Sequence, residues 1–512
     1  MKKLLVKSKI IIFGCGSVGK CCLYYLKNFF QFKNEQVYII DKDDSVFSFP
    51  TVKQAIMDGV TSLHYTITRD NIVELLDKVL KIEKYDIIID LTTNTPTYDI
   101  YKECRLRNIL YINTSIEEDK ELTSFDSCPT DGGIFLQHMN LQMIADKTRD
   151  EANNVTSVIE FGMNPGLISV FVKQGIMDLA KNVIEYYKKS STDRKMPVDF
   201  AKYFKEANHR KLAELLRIRA IHCSEIDTQV PSRRPRERFI NTWSCVGLIT
   251  EGIEPAEIQI GTHEYKLPFT KDQVSEVLPQ LVLTKISGQD IKIRSIVPLK
   301  MRVDGSVEFT NIEGRCIHHG EGISLNRYLG TFKYSPTMHY AYKLSPFTEE
   351  ALDKYPKGDL IKISKDSKYW KVLNMYDDNL VGTDNVGALF IMDENPYTGS
   401  RKVPYCFWTG SILNTDYTKK VLGDSYFGPT TIQVMAGILS GVSWMYKNRN
   451  KGLVFGEDLD DNYIIELAKP YLGHYHSGPV VDKVTLPGVS LYDLVVKDGS
   501  EDEKKYVKVK DL

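Results

Sequence analysis

The stretch NTWSCVGLITEG at 241–252 sets an indole, Trp243, eight residues before a carboxylate, Glu251, among mostly apolar neighbours. An aromatic face attracts a cation through its quadrupole, worth roughly 0.5–2 kcal/mol. A carboxylate in the same low-dielectric recess adds Coulomb attraction. The pair reads as an amine pocket, and a half-buried strand with a charged end is the plainer reading. Other acids stand in similar company: Glu225 in AIHCSEIDTQ, Glu321 with His319 in HHGEGIS, and Asp384 in LVGTDNVGALF. Any one of them could be a hydrogen-bonded structural acid, but together they describe a site for a positively charged substrate. His319 beside Glu321 is the candidate proton shuttle, because an imidazole titrates near neutral pH and a glycine lets both side chains flank a turn. Asn164 precedes Pro165 in GMNPGLIS, which holds it out of helical geometry.

A second chemistry sits at the start of the chain. The apolar run SKIIIF (8–13) leads into Gly14-Cys15-Gly16-Ser17-Val18-Gly19, a helical run KCCLYYLKNFF, and a second strand QVYIID that ends in Asp41. This is G-x-G-x-x-G in its confirming context of strand, turn, helix, strand and acid. The glycines let backbone approach a pyrophosphate, and the helix N-terminus stabilises its charge. Asp41 can accept from a ribose diol and would repel a 2′-phosphate, which favours NAD over NADP; Lys42 partly offsets that repulsion. Ligands of an open parallel sheet sit at the carboxyl ends of its strands. The strands YDIIIDLTT (85–93) and LYINTSIEED (110–119) therefore place Thr92, Thr93, Asn113, Thr114 and Glu117 near the reactive end of the cofactor.

These residues need a scaffold of two kinds. The alternation of buried strand and helix over 1–155 predicts a Rossmann-like parallel sheet. From 156 to 425 the runs shorten and alternate, separated by Gly, Pro and Asp, as in FINTWSCVGLI, AEIQIGT and IKIRSIVPLKM. They predict a mixed α+β domain, mainly antiparallel, for substrate and dimerisation. PTTIQVMAGILSGVSWMYKN opens a helical segment, 426–495, that returns to the first domain, and 496–512 reads as a flexible tail. The class is α/β. The chain has 512 residues, a formal net charge of −1 and 26% charged residues, which argues against nucleic-acid or membrane-surface binding. The basic run SRRPRER (232–238) contains a proline and reads as a solvated loop. Nine cysteines without a CxxC pair point to reduced thiols and a cytoplasmic setting. No His or Cys set has zinc spacing, so no metal site is expected. The opening MKKLLVKSKIIIFGCG resembles a signal peptide, but Lys7 and Lys9 interrupt it and no cleavage pattern follows.

The chain resembles the bacterial-type homospermidine synthases of the saccharopine-dehydrogenase-like group. The matching stretches are IIFGCGSVGK (11–20), GMNPGLIS (162–169), IHCSEIDTQ (221–229), NTWSCVGLITEG (241–252), GTHE (261–264), HHGEGIS (318–324), SPTMHYAY (335–342) and the helical end around Pro429–Pro470. The resemblance implies an NAD-dependent transferase that joins two diamines, two putrescines or spermidine plus putrescine. A hydride leaves the amine-bearing carbon, the imine is attacked by a second amine, ammonia or diaminopropane departs, and the hydride returns. It further implies a homodimer, with Asn164, Glu225, Trp243, Glu251, His319, Glu321 and Asp384 around the amine and Glu117 near the cofactor. The chain departs from the family where Asp384 opens DNVG rather than D-E-L-G, and where NTSIEED lacks an E-P-W. The alternatives are a saccharopine- or carboxyspermidine-type dehydrogenase, which needs an arginine aimed into the pocket, and an NAD-binding regulator without turnover.

Overall fold

The computed structural model describes residues 3–117, 133–149, 154–190, 195–233, 238–278, 280–317, 319–497 and 505–509. Most of the basic 232–238 loop, the acidic end of the 110–119 run, His318 and most of the tail lie outside them.

The first sheet centres on short, mainly apolar strands, several of which end in a polar residue. β1 (Ile10–Phe13), β2 (Val37–Asp41), β3 (Thr61–His64), β4 (Ile87–Asp90), β5 (Leu110–Asn113) and β6 (Ser157–Val158) pair in parallel. The order runs β3-β2-β1-β4-β5-β6, the doubly wound arrangement, in which both faces are covered and continuous apolar runs are required. Ile10 to Phe13 are accordingly fully buried. A seventh strand, Leu453–Val454, comes from far along the chain and pairs in parallel with β6. This return strand extends the expected helical return into the sheet itself. Helix α1 (Ser17–Phe29) crosses from β1. Helix α2 (Ile134–Lys147) covers the same domain and buries Leu141 and His138. Leu141 joins Ile11, Phe13, Ile88 and Tyr111 in one of the two cores flanking the sheet.

Helix α3 (Leu167–Lys189) begins where the sequence places it, directly after the GMNPG loop. It lies on the second sheet, close enough that a Cβ on Gly175 would meet Phe390 at 2.5 Å. That sheet is built from β7 (Ile218–Asp227), β8 (Pro255–Gln259), β9 (Val274–Leu278), β10 (Leu281–Ser287), β11 (Lys292–Met301), β12 (Val307–Arg315), β13 (Thr337–Lys343), β14 (Thr383–Met392), β15 (Tyr405–Asn414) and β16 (His474–Pro479). The path is β9-β10-β8-β13-β7-β14-β15-β16, with β12 joining β13 and carrying β11 at its side. Only β13 and β7 run parallel, so the expectation of a mainly antiparallel sheet matches the pairing.

Two expectations are corrected. NTWSCVGLITEG is not a strand: Cys245–Ile253 form helix α4. Ser244 caps it by accepting from the Gly247 N–H, and Cys245, Leu248, Ile249, Gly252 and Ile253 make one buried stripe at helical spacing. The tail is not wholly loose: Tyr506–Lys508 pair antiparallel with Lys266–Thr270. Helix α5 (Gly320–Leu329) and helix α6 (Pro429–Lys447) complete the elements that hold the site. A single core runs from α1 through α6 and α3 to the near face of the second sheet, uniting the two halves of the molecule.

Candidate active site

The glycine turn has the shape a dinucleotide needs. Gly14 has φ +84°, and a Cβ there would strike the Leu91 carbonyl oxygen at 2.6 Å. A Cβ on Gly19 would come within 2.1 Å of the Gly14 oxygen, so helix and strand meet only over a bare backbone. Gly16 faces open space, which leaves room for a pyrophosphate at the start of α1. The Cys15 N–H donates to Asp41 Oδ2 at 2.6 Å and the Asp43 N–H to Asp41 Oδ1 at 2.9 Å, so Asp41 ties the second strand to the turn. Ser17 Oγ lies 3.2 Å from Thr431 Oγ1 on α6, and Val18 is half-buried beside it in the chain.

Thr92 and Thr93 follow β4, and Asn113, Thr114 and Glu117 end and follow β5, on the carboxyl edge where ligands bind. Thr92 Oγ1 donates to Asp90 at 2.6 Å, while Asn113 Oδ1 accepts from the Glu160 N–H at 2.8 Å. Glu117 accepts from the Asn94 N–H and the Ser115 hydroxyl. Burial outweighs both bonds and raises its carboxyl to about 7, and the charge of Glu251 adds to the rise.

The amine side has two clusters. In the first, His319 stands at the N-cap position of α5, and the helix presents Glu321 in its first turn. His319 Nε2 is 3.5 Å from Glu251 Oε2 at the end of α4, and Nδ1 is 3.5 Å from Glu321 Oε1. Burial alone would lower the imidazole's affinity for its proton, but Glu321 and Glu251 outweigh it and raise the value to about 10. This departs from an imidazole titrating near neutrality: the two flanking acids favour the protonated form of His319. In the second cluster Asn164 Nδ2 donates to Glu225 Oε2 at 2.6 Å, and Tyr340 Oη donates to the same oxygen in a short bond. Asp384 accepts from Thr430 Oγ1 at 2.5 Å. Burial raises both Glu225 and Asp384, and for Asp384 the neighbouring charges of Glu225 and Asp227 push further in the same direction. Trp243, half-buried, donates from Nε1 to Tyr342 Oη at 3.3 Å.

His319 and Glu321 line one cavity with Tyr340. Glu251 reaches His319, Asn164 and Tyr340 bond to Glu225, Trp243 bonds to Tyr342 whose ring stacks on Tyr340, and Asp384 stands on the strand paired with that of Glu225. The structure adds three residues that the sequence reading passed over. Tyr340 stacks on Tyr342 with ring centroids 5.2 Å apart and lies 4.4 Å from the His319 ring. Asp227 accepts from Thr242 and from Gln229. Both signals were present: SPTMHYAY places its tyrosines two apart on a strand, and SEID places Asp227 two beyond Glu225 on the same face. Asn385, where the chain departs from D-E-L-G, is fully used, donating to the Pro298 and Leu299 carbonyls and accepting from Thr383. Among the described residues no lysine or arginine pairs with Glu225, Glu251, Glu321 or Asp384.

The chain is 26% identical over 482 residues to a homospermidine synthase of Mesorhizobium japonicum, covering 91% of this chain and 89% of the relative. It is 28% identical over 477 residues to one of Blastochloris viridis, covering 91% and 90%. The crystal structure of a homospermidine synthase of Legionella pneumophila, solved with NAD, superimposes with a TM-score of 0.73 at 25% identity, over 97% of this chain and 99% of that one. Residues 10–158 match the family model for the saccharopine dehydrogenase NADP binding domain. Since residues 162–477 match the companion model for the saccharopine dehydrogenase C-terminal domain, the chain belongs to the saccharopine dehydrogenase family.

Proposed function

We propose that this protein is a homospermidine synthase that transfers an aminobutyl group between diamines, with no net redox change. The observation that carries the reading is a set of acids, Glu225, Glu251, Glu321 and Asp384, that pairs with no lysine or arginine among the described residues and has His319 as the basic partner of Glu251 and Glu321. Acids with no protein cation of their own, other than His319, favour an ammonium. A saccharopine-type substrate carries a carboxylate and would meet the wrong charge there. The similarity to homospermidine synthases over nine-tenths of the chain supports the same conclusion.

The residues present fit a nicotinamide dinucleotide: Gly14, Gly16, Ser17, Val18 and Gly19 for the pyrophosphate, Asp41 for the ribose, and Thr92, Thr93, Asn113 and Thr114 toward the reactive end. We assign NAD rather than NADP because the chain at the end of β2 reads Asp41-Lys42-Asp43-Asp44, a net negative run that would repel a 2′-phosphate. Bound there, the cofactor accepts a hydride from the amine-bearing carbon and later returns it. The chain's own work is to hold the diamine, move protons and exclude water. Trp243 holds the charged far amine by its ring face. Glu251 and Glu117 neutralise charge on the side of the recess nearer the first domain. Glu225, held by Asn164, takes a proton from the reacting ammonium, whose ordinary value is near that of lysine, about 10. His319, as a cation between Glu251 and Glu321, donates to the departing ammonia. Burial of the recess protects the imine from hydrolysis.

We further assign a homodimer and a cytoplasmic setting; the unpaired, buried state of Cys15, Cys21, Cys22, Cys104, Cys223, Cys245, Cys316 and Cys406 suits a reducing compartment. The test is direct. Purified protein given putrescine and a catalytic amount of NAD should form homospermidine and ammonia, identified by mass, over many turnovers without accumulating NADH. Stoichiometric NADH would identify an ordinary amine dehydrogenase and overturn the assignment.

A further inference from the structure

Glu225 and Asp384 stand on the neighbouring strands β7 and β14, where the register sets Asp384 opposite Asp227 and Glu225 two positions further along the same face. Buried carboxylates this near one another disfavour each other's ions, so one of them keeps a proton more readily than the other. Which one keeps it decides which can act as a base. The donors around the pair are unequal. Glu225 Oε2 receives two, Asn164 Nδ2 at 2.6 Å and Tyr340 Oη in a short bond. Asp384 receives one, from Thr430 Oγ1 at 2.5 Å, and its Oδ1 is buried with no protein donor. Asp227, next along β7, has Oδ1 filled by Gln229 and Oδ2 filled by Thr242, so it holds a charge beside Asp384. Donors favour the ion they serve, and a neighbouring charge disfavours a second one.

From this geometry we propose that Tyr340 is a positioning residue that, with Asn164, keeps Glu225 as the anion of the pair and leaves the proton on Asp384. The proposal deepens the diamine reading of the same recess and rests on it for its kinetic consequence. Glu225 is then ready to deprotonate the reacting ammonium, and Asp384 ionises only when a cation arrives beside it. Tyr340 suits the task because it is nearly fully buried, 4% exposed, and its ring packs against the Tyr342 and His319 rings. The other groups that bear on Glu225 are Cys223 and Asp227 on its own strand, Tyr342 on β13 and Asp384 on β14. His319, with Glu251 and Glu321, lies beyond the Tyr340 ring.

Tyr340→Phe keeps the ring and removes the donor. The acid limb of kcat/KM for putrescine should move up by about one pH unit, a roughly tenfold loss below the limb, with much less change above it. A merely structural tyrosine would lower activity evenly at every pH, so a wild-type profile with only a lower plateau overturns the proposal. Asn164→Leu removes the other donor to the same oxygen and should move the limb in the same direction; it serves if the Tyr340 variant does not fold. A difference-infrared titration of the carboxyl band that Glu225→Gln deletes needs no turnover: the band should titrate at higher pH in Tyr340→Phe, and an unmoved band overturns the proposal. If the wild-type protein converts no diamine, the functional reading falls, while the infrared titration still decides the role of Tyr340.

Discussion

A site that binds an ammonium must leave some acids without a protein cation, and among the described residues Glu225 and Asp384 meet that condition while Glu251 and Glu321 flank His319. Trp243 gives a first test. Trp243→Phe keeps a weaker ring face but loses the bond to Tyr342, and should retain part of the activity. Trp243→Ala should cost more than tenfold in kcat/KM for putrescine, because the loss of orientation adds to the roughly 0.5–2 kcal/mol of one cation–π contact. Melting temperature is measured on the same variants, and a folded Trp243→Ala protein with wild-type putrescine kinetics would refute the pocket. Asp41 gives a second test. Asp41→Ala frees the Cys15 N–H and removes the ribose acceptor, so NAD affinity should fall about tenfold and the preference over NADP should shrink; native preference for NADP would contradict the assignment. His319 gives a third, in pH. Its folded value, about 10, lies above the ordinary 6.5, so its contribution to stability is full below about 6.5 and is lost as pH rises through 10. The melting-temperature gap between wild type and His319→Gln should therefore be widest near pH 6 and narrow steadily toward pH 10; a flat gap would contradict it. Residue identity was legible in the sequence because acids, an indole and an imidazole announce their chemistry by type. The charge state of His319 was not, because it depends on Glu251, which reaches it from a different helix.

Elements carry a different kind of information, and helix α4 shows where it was hidden. Trp243, Leu248 and Ile249 read as strand residues because apolar runs of this length fit either period, and β-branched residues tip the balance. The Ser244 cap and the stripe through Cys245, Leu248, Ile249, Gly252 and Ile253 were the signal for a helix. That helix, not a strand, brings Glu251 to His319. The glycine turn was readable at once because its constraint is local. Helix α6 was readable as a helix but not as a constraint on Asn164. A Cβ on Gly437 of α6 would lie 1.9 Å from the Gly162 oxygen, at the root of the loop that carries Asn164. Gly437→Ala should therefore cost about 1–3 kcal/mol of stability by overpacking. It should also lower kcat at temperatures where the variant is fully folded, by displacing Asn164 from Glu225. Chemical denaturation and kinetics on the same protein test both, and an unchanged kcat in folded Gly437→Ala would show that the loop does not depend on α6.

At the scale of the whole molecule, two sheets are made one object by α6 and the return strand. The class and the order of the regions were visible in the alternation of patterns along the chain. The pairing of Leu453–Val454 with β6 was not, because two residues carry no periodicity and their partner is remote in sequence. The consequence for stability is direct. A fragment ending near residue 160 lacks the return strand and leaves bare the surface that Ile432, Met435, Leu439 and Val442 of α6 cover. It should unfold without a cooperative transition and bind an apolar dye, whereas the full chain should unfold cooperatively; a cooperative fragment would show that the first sheet stands alone. On the ribosome the same pairing sets an order of events. The nucleotide turn emerges long before the helix that meets Ser17 and the strand that closes the sheet. A polypeptide that stops before Thr430 holds neither the cofactor turn braced by Thr431 nor the acid braced by Thr430, so synthesis of α6 is itself the step that confers competence for both.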